Sequence, residues 1–263
     1  MLKDPRLWGV VVLVMVAVAA LHQAPRLLRG FDAFHVTRVE VVGTRYLAPH
    51  DALGVSGITR HSSTFDDPQR WLRALRRHPL VQDARIRRRL PGTLVLEITE
   101  VQPVALIRTP ELQPVDGQAR ALPIDPIESD LDLPLLPGVS DVGEDRRLTS
   151  RRHRELIAAL ERIRSFEPGV AAELSELEPL AGGGLRLRLR TPAHAEVLLP
   201  PQPEALGLQQ LRLALADLSA RNERAAVRRI DVRFHDQVVV SLAAGAAVEP
   251  AGADRGPGHN PEP

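Results

Sequence analysis

The segment Val36–Leu53, VTRVEVVGTRYLAPHDAL, decides how the first folded unit of this chain begins. Apolar or β-branched side chains alternate with charged ones at its start, which predicts a half-buried strand over Val36–Val42. Gly43 interrupts the alternation and ends the strand. A short helix is predicted near Pro49–Leu53, because proline is favoured at the first position of a helix.

The following residues complete a compact unit of order β-α-α-β-β that ends near Val101. Asp67 and Pro68 predict the start of a second helix, as its N-cap and its first residue. The segment Leu80–Val101 then alternates apolar and charged residues on both sides of a Pro91-Gly92 turn. This pattern predicts a β-hairpin.

A second, β-rich unit with packed helices is predicted after this hairpin. Helical spacing of leucine and isoleucine predicts one helix capped by Thr149 or Ser150 and another over Glu204–Asn222. The segment Pro123–Pro137 is rich in proline and acidic residues, which predicts irregular covering structure. Strict alternation of leucine and arginine predicts a strand over Leu185–Arg190, with His194–Leu199 as its hairpin partner. Further strands are predicted over Val104–Arg108, Arg229–Phe234 and Gln237–Leu242, and Arg120–Leu122 is a candidate to pair back after the Asp116-Gly117 turn.

The N-terminal segment Leu7–Leu21 is an uncharged apolar run, preceded by Lys3 and Arg6. The run is shorter than the roughly 20 residues of a full membrane span, although neutral residues and snorkelling arginines beyond it can extend it. The residues leave two interpretations open. One is an uncleaved signal anchor over residues 7–28, and the other is a signal peptide cleaved after the A-x-A-like sequence Ala17–Ala19. Both predict export of the remaining chain.

Composition excludes several classes of function. The formal net charge is +1, whereas a dedicated nucleic-acid binder is expected to be clearly basic. The chain contains no cysteine, which excludes disulfides, thiolate nucleophiles and cysteine-based metal sites. An apolar fraction of 44% is sufficient for folded cores, and these must rest on aliphatic side chains because aromatic residues make up 3%.

No motif predicts catalysis. The chain lacks G-x-S-x-G, and the glycines at Gly182–Gly184 lack the G-K-[ST] ending of a phosphate loop, so a flexible turn is expected there. The sequence His194-Ala195-Glu196 has the H-x-E spacing of zinc deaminases, without the cysteines that complete such a site. We therefore predict no catalytic residue, no metal ligand, no cofactor and no small-molecule substrate, and the chain is not expected to be an enzyme.

Two surfaces are candidates for binding partners. The arginines at Arg85, Arg87, Arg88 and Arg89 could contact a polyanion, but a solvated strand face is favoured because charge runs usually have that role. The apolar run Val238–Val240 predicts a final strand that is either central and buried on both faces or at a sheet edge. An edge strand exposes unpaired backbone groups and can accept a strand from a partner.

The ordered set of motifs resembles the FtsQ/DivIB family of bacterial cell-division proteins. The resemblance implies an α+β chain with an N-terminal transmembrane helix, a POTRA domain of order β-α-α-β-β, and a β-rich domain with packed helices. It also favours the uncleaved anchor. The segments that carry it are Val36–Leu53, His78–Ile107, Val115–Pro123, Leu133–Val139 and Arg228–Leu242.

Pattern and resemblance together predict five regions. These are a short cytoplasmic tail (1–6), a transmembrane signal anchor (7–28), a POTRA domain (35–103), an FtsQ-type β domain (104–245) and a disordered tail (246–263). The resemblance implies a single-pass type II protein of the cell (inner) membrane, located at the division septum with most of its chain outside the cytoplasm.

The resemblance also implies a function and a binding site. It implies a divisome scaffold that binds FtsB/FtsL-like coiled-coil proteins and other divisome membrane proteins, and that helps couple their assembly to septal peptidoglycan synthesis. The positions of this sequence that match the partner-binding segment of the family are Arg233, Phe234, Asp236, Gln237, Ser241 and Leu242. Two alternatives are a POTRA-containing secretion or outer-membrane assembly factor and a cleaved periplasmic protein.

Overall fold

The structure is a computed structural model that describes residues 8–18, 31–109, 111–191, 195–234 and 237–243. Residues 8–18 form helix α1. Among the described residues, no helix has both the length and the apolar character needed to cross a membrane. The predicted anchor is described only in part, and the predicted tail over residues 246–263 lies outside the described ranges.

The chain divides into two compact units. The first comprises Met1–Pro103 and Ala121–Leu131, and the second comprises Val104–Arg120 and Asp132–Pro263. The segment Ala121–Leu131 thus belongs to the first unit although it lies within the range predicted for the β domain. Its Leu122 is 1% exposed and lies in the apolar core of that unit.

The first unit has the predicted β-α-α-β-β order. Strand β1 runs parallel to β3, and β2 runs antiparallel to β3 on its other side. The helices cover one face of this sheet and bury Trp71 and Leu75 against Leu94 and Leu96. The elements are β1 (Arg38–Val42), α2 (Pro49–Ser56), α3 (Gln69–Leu75), β2 (Val81–Arg89) and β3 (Thr93–Glu100).

Gly43 has a steric reason to be glycine. Its φ is 85°, and a Cβ atom at this position would lie 2.2 Å from the carbonyl oxygen of Ile98. The loop that follows is held by Glu100, whose carboxylate is buried and accepts the backbone N–H groups of residues 45–47 at 2.8–3.2 Å. The opening sequence therefore leads from β1 into a loop that is fixed against β3.

The second unit contains a sheet of mixed direction. Eight strands of the described residues follow the order β11-β10-β9-β8-β7-β6-β4-β5. Pairs β4–β6, β6–β7 and β9–β10 are parallel. The strands are β4 (Pro103–Arg108), β5 (Leu112–Asp116), β6 (Leu135–Val139), β7 (Leu174–Pro179), β8 (Leu185–Leu189), β9 (Glu196–Leu199), β10 (Val227–Asp231) and β11 (Val239–Leu242).

Three helices pack on one face of this sheet within the described part of the unit. They are α4 (Arg151–Phe166), α5 (Pro168–Ala172) and α6 (Ala205–Ala220). Ser150 caps α4, as predicted, by accepting the N–H of His153. The leucines of the alternating strand β8 are buried against the helices, and its arginines face the opposite side.

The second unit differs from the sequence prediction in several places. Strand β5 was not predicted, and the predicted strand over Arg120–Leu122 is wrong, because in the described ranges Arg120 forms only an isolated bridge with Arg147. Strand β6 forms at the end of Pro123–Pro137, which was predicted to be irregular, because parallel neighbours on both sides pair with it. Strand β7 was not predicted and pairs with β8. The glycines of Gly182–Gly184 form the turn between β7 and β8, and all three have positive φ.

Candidate partner-binding edge

Strand β11 lies at one end of the larger sheet. In the described ranges it pairs with β10 alone, so the interpretation of the final strand as an edge is correct and the central, doubly buried alternative is wrong. The N–H of Ala243 donates to the carbonyl of Ala226 at 2.8 Å. Because N–H directions alternate along an antiparallel strand, the amides of Val240 and Leu242 face away from β10. The outer side of β11 therefore presents a row of backbone donors and acceptors.

The side chains of β11 leave much of this edge accessible. Val238 and Val240 are half-buried and pack against the core. Val239 and Leu242 are each 42% exposed. Together these features describe a short apolar strand that is anchored on one face and open along its outer side.

The connection from β10 to β11 is held by an ion pair at its start. Asp231 is 8% exposed, and its carboxylate accepts Nε and a terminal guanidinium nitrogen of Arg233 at 2.9 and 2.6 Å. The hydrogen bonds from Arg233 lower the pKa of Asp231, and those to Asp231 raise the pKa of Arg233. The Arg233 side chain is therefore engaged within the chain itself.

An open groove of about 180 Å³ lies beside this connection. It is formed by the end of β9, the first turn of α6 and the residues that follow β10. Phe234 and Leu206 line it and are 46% and 54% exposed, and Pro203 and Val232 complete its apolar walls. The groove can accept an apolar side chain beside the residues that follow β10.

The structure distributes the six predicted contact residues over this hairpin. Arg233 and Phe234 follow β10, Gln237 is exposed just before β11, and Ser241 and Leu242 are exposed on β11. Asp236 lies outside the described residues. Sequence reasoning missed Asp231 and Leu206. The D-x-R spacing of Asp231 and Arg233 places both on one face of an extended segment, and this signal could have predicted their ion pair.

The sheet face opposite the helices is charged. Residues that lie side by side on neighbouring strands form a row across this face, from β7 to β11. Charges of opposite sign alternate along it and it ends at a neutral serine: Glu176, Arg188, Glu196, Arg229 and Ser241. Ion pairs of 2.7 Å (Arg188–Glu176) and 3.2 Å (Arg229–Glu196) connect neighbours in this row. This face is charged, so the apolar contacts that β11 itself offers are those of its own side chains.

The arginines of β2 have partners on the outer face of the smaller sheet. Arg87 pairs with Glu97 and Arg89 pairs with Glu40, each at 2.9 Å. Both arginine side chains are more than two-thirds exposed, which agrees with a solvated strand face. Within the described part of the chain, no group of three histidine, aspartate or glutamate side chains could hold a metal ion.

Comparison with known proteins gives a consistent family. The family described as "POTRA domain, FtsQ-type" matches residues 34–100, which contain the whole β-α-α-β-β unit. The Cell division protein FtsQ of Myxococcus fulvus is 26% identical over 223 residues, covering 84% of this chain and 78% of the relative. The resemblance to the FtsQ/DivIB family is confirmed. The FtsQ-type POTRA domain is thus followed by a second unit that is also shared with FtsQ relatives.

Two further relatives extend the comparison. The FtsQ of Rhodothermus marinus is 28% identical over 245 residues, covering 88% of this chain and 84% of the relative. The Cell division protein DivIB of Geobacillus kaustophilus is 32% identical over 73 residues, which is 27% of this chain. The FtsQ alignments therefore include both units, whereas the DivIB alignment covers a shorter part.

Proposed function

We propose that this chain is a non-enzymatic scaffold of bacterial cell division that captures a partner by strand addition at β11. The observation that carries the proposal is the open, apolar edge of β11 at the end of the larger sheet. The relatives that match most of the chain are named cell-division proteins, which supports a role in the divisome. The proposed partner is a small coiled-coil division protein of the FtsB/FtsL type.

The proposed mechanism separates affinity from selectivity. A partner strand would bond to the outward amides and carbonyls of Val240 and Leu242, and these bonds would supply affinity for many sequences. The groove beside Phe234 and Leu206 would select an apolar side chain at one position of the partner. Gln237 and Ser241 would flank the added strand at its two ends.

The cellular role follows from attaching this edge to a membrane. We propose that residues 7–28 anchor the chain in the cell (inner) membrane with most of the chain outside the cytoplasm, at the division septum. Anchoring would raise the effective concentration of the β11 edge for partners in the same membrane. The POTRA unit would contact other divisome membrane proteins, and the assembled complex would couple division-protein recruitment to septal peptidoglycan synthesis.

The test uses two substitutions at one position. Leu242→Pro removes an outward N–H and places a ring where the partner backbone would bond, whereas Leu242→Ala removes the same side chain and keeps the N–H. Tagged full-length chains would be recovered from membranes, and co-purified FtsB/FtsL-like proteins would be quantified. We expect Leu242→Pro to abolish capture and Leu242→Ala to retain most of it, with both variants keeping the circular dichroism spectrum of the unchanged chain. Equal capture by Leu242→Pro and the unchanged chain would refute strand addition at this edge.

A further inference from the structure

Three segments of the first unit meet at the end where the chain arrives from α1. The N–H of Val36 donates to the carbonyl of Ser62 at 2.8 Å, and the N–H of Thr37 donates to the carbonyl of Gly92 at 2.8 Å. The hydroxyl of Thr64 lies 3.2 Å from the carbonyl of Phe34 and 3.1 Å from that of Pro91. We call this end, formed by residues 31–37, 59–65 and 90–92, the anchor-side surface.

The anchor-side surface exposes two large apolar side chains. Phe31 is 59% exposed and Leu90, at the tip of the β2–β3 hairpin, is 56% exposed. Single exposed apolar residues are ordinary on protein surfaces, but here two belong to segments that are hydrogen-bonded together. In the same segments Phe34 and Phe65 pack edge to face with ring centroids 4.9 Å apart, and this contact joins residues 31–37 to residues 59–65.

Two exposed arginines lie close to these apolar tips in the chain. Arg60 lies on the anchor-side surface and Arg38 directly follows it, and both are exposed. Among the described residues, neither guanidinium has a carboxylate partner. Two acidic residues lie on or next to this surface: Asp32 lies 3.4 Å from the imidazole of His35, and Asp66, directly after Phe65, accepts the N–H of Ser63 at 2.9 Å. Exposed apolar tips flanked by arginine are typical of surfaces that rest in a membrane interface.

The covalent connection restricts where this surface can be. Residues 19–30 separate α1 from Phe31. Twelve residues span about 43 Å when fully extended and about 18 Å as a helix. If α1 belongs to a membrane anchor, as proposed above, the anchor-side surface is the part of the first unit to which the connection from the bilayer is attached.

We infer that the anchor-side surface docks on an anionic phospholipid membrane. Phe31 and Leu90 insert at the level of the headgroups and upper acyl chains, and Arg60 and Arg38 contact lipid phosphates. Docking holds the POTRA unit in one orientation and directs the opposite end of its sheet, near Val42, away from the membrane. This inference goes beyond partner capture at β11 and rests on the proposed membrane attachment.

The absence of native cysteine permits a direct test with single labels. Leu90→Cys and the matched control Val42→Cys, which replaces a 45% exposed valine, would each carry an environment-sensitive nitrobenzoxadiazole dye in the full chain. The chains would be reconstituted in vesicles of phosphatidylcholine with phosphatidylglycerol. We expect the label at position 90 to shift its emission to shorter wavelength and to be quenched by lipids brominated in the upper acyl chain. The label at position 42 should show neither change.

A second pair of substitutions tests the apolar contact itself. In a chain labelled through Phe31→Cys, Leu90→Ser should reduce quenching by brominated lipid, and Val42→Ser should leave it unchanged. Vesicles of phosphatidylcholine alone should give weaker quenching, because the arginines lose their anionic partners. Equal quenching at positions 90 and 42, or quenching at neither, would overturn the docked orientation. A chain that does not float with vesicles would also overturn it, and would identify membrane attachment as the step that fails.

Discussion

The two ends of the larger sheet are protected very differently. Strand β5 forms one end and contains Pro114, which has no N–H to offer a partner. The last three residues of β5 are buried, whereas three of the four residues of β11 are exposed. β11 carries no proline, no lysine and no inward charge, the devices by which edges are usually blocked.

The difference shows that openness at β11 is a local property of that strand. Both ends belong to one sheet and share a core, and each has a leucine that is 42% exposed, Leu112 on β5 and Leu242 on β11. An exposed leucine alone therefore does not distinguish them. The available backbone does distinguish them, and for this reason we propose β11, and not β5, as the edge that captures a partner.

The largest effect on stability is expected from truncating a buried side chain of β10, next to β11. Ile230 is fully buried and lies opposite Val240 in the register of β10 and β11. Ile230→Ala should lower the free energy of unfolding by about 2–4 kcal/mol, through lost burial and a residual cavity. Val239→Ala, at an exposed site of the same edge, is the control and should change it by less than about 0.5 kcal/mol. Both are measured by urea denaturation, and equal values would indicate that β11 is not held by this core.

The second prediction concerns partner binding and compares Leu242 on β11 with Leu112 on β5. Leu242→Lys introduces a charge that would have to lose its water when the partner strand packs against β11. We therefore expect the affinity for the partner to fall roughly tenfold, or by about 1.4 kcal/mol. Leu112→Lys makes the same change at equal exposure on β5 and should leave capture unchanged. Binding is measured by titrating a synthetic FtsB-type segment against the full chain in detergent. If both variants lost binding equally, the edges would not differ in function.

A smaller effect concerns the ion pair that starts the β10–β11 connection. The pKa of Asp231 is lowered from 3.8 in the folded chain, so its stabilisation is complete above that value and is lost as pH falls through the folded pKa. Asp231→Asn should therefore reduce stability by about 1 kcal/mol at pH 7. The difference in stability between Asp231→Asn and the unchanged chain should become smaller below pH 3.8. Thermal unfolding across pH measures this. Asp217→Asn, in an exposed pair with Arg221, is the control at pH 7 and should change stability little there. A constant difference across pH would contradict the assignment to Asp231.

Periodicity predicted the elements whose neighbours lie close in sequence. The hairpin of β2 and β3, the alternation in β8 and the pair β10–β11 could all be predicted because adjacent strands are joined by short turns. Strands β5, β6 and β7 were missed because their sequences, LQPVD, LLPGV and LSELEP, contain proline, and β6 pairs in parallel with strands distant in the chain. The return of Ala121–Leu131 to the first unit has no local signal. The groove beside Phe234 was missed because it brings α6 next to the residues that follow β10.

The smallest effect is expected on the charged sheet face that approaches β11. Arg229 pairs with Glu196 at 3.2 Å, but its side chain is 54% exposed, so solvent screens the pair. Arg229→Gln should therefore change the free energy of unfolding by less than about 0.5 kcal/mol. Capture of the FtsB-type segment should also be unchanged, because the added strand is proposed to bond through the backbone of β11. Reduced capture that depends on salt would instead show that the partner contacts the charged row, and selectivity would then belong to the sheet face as well as to the groove.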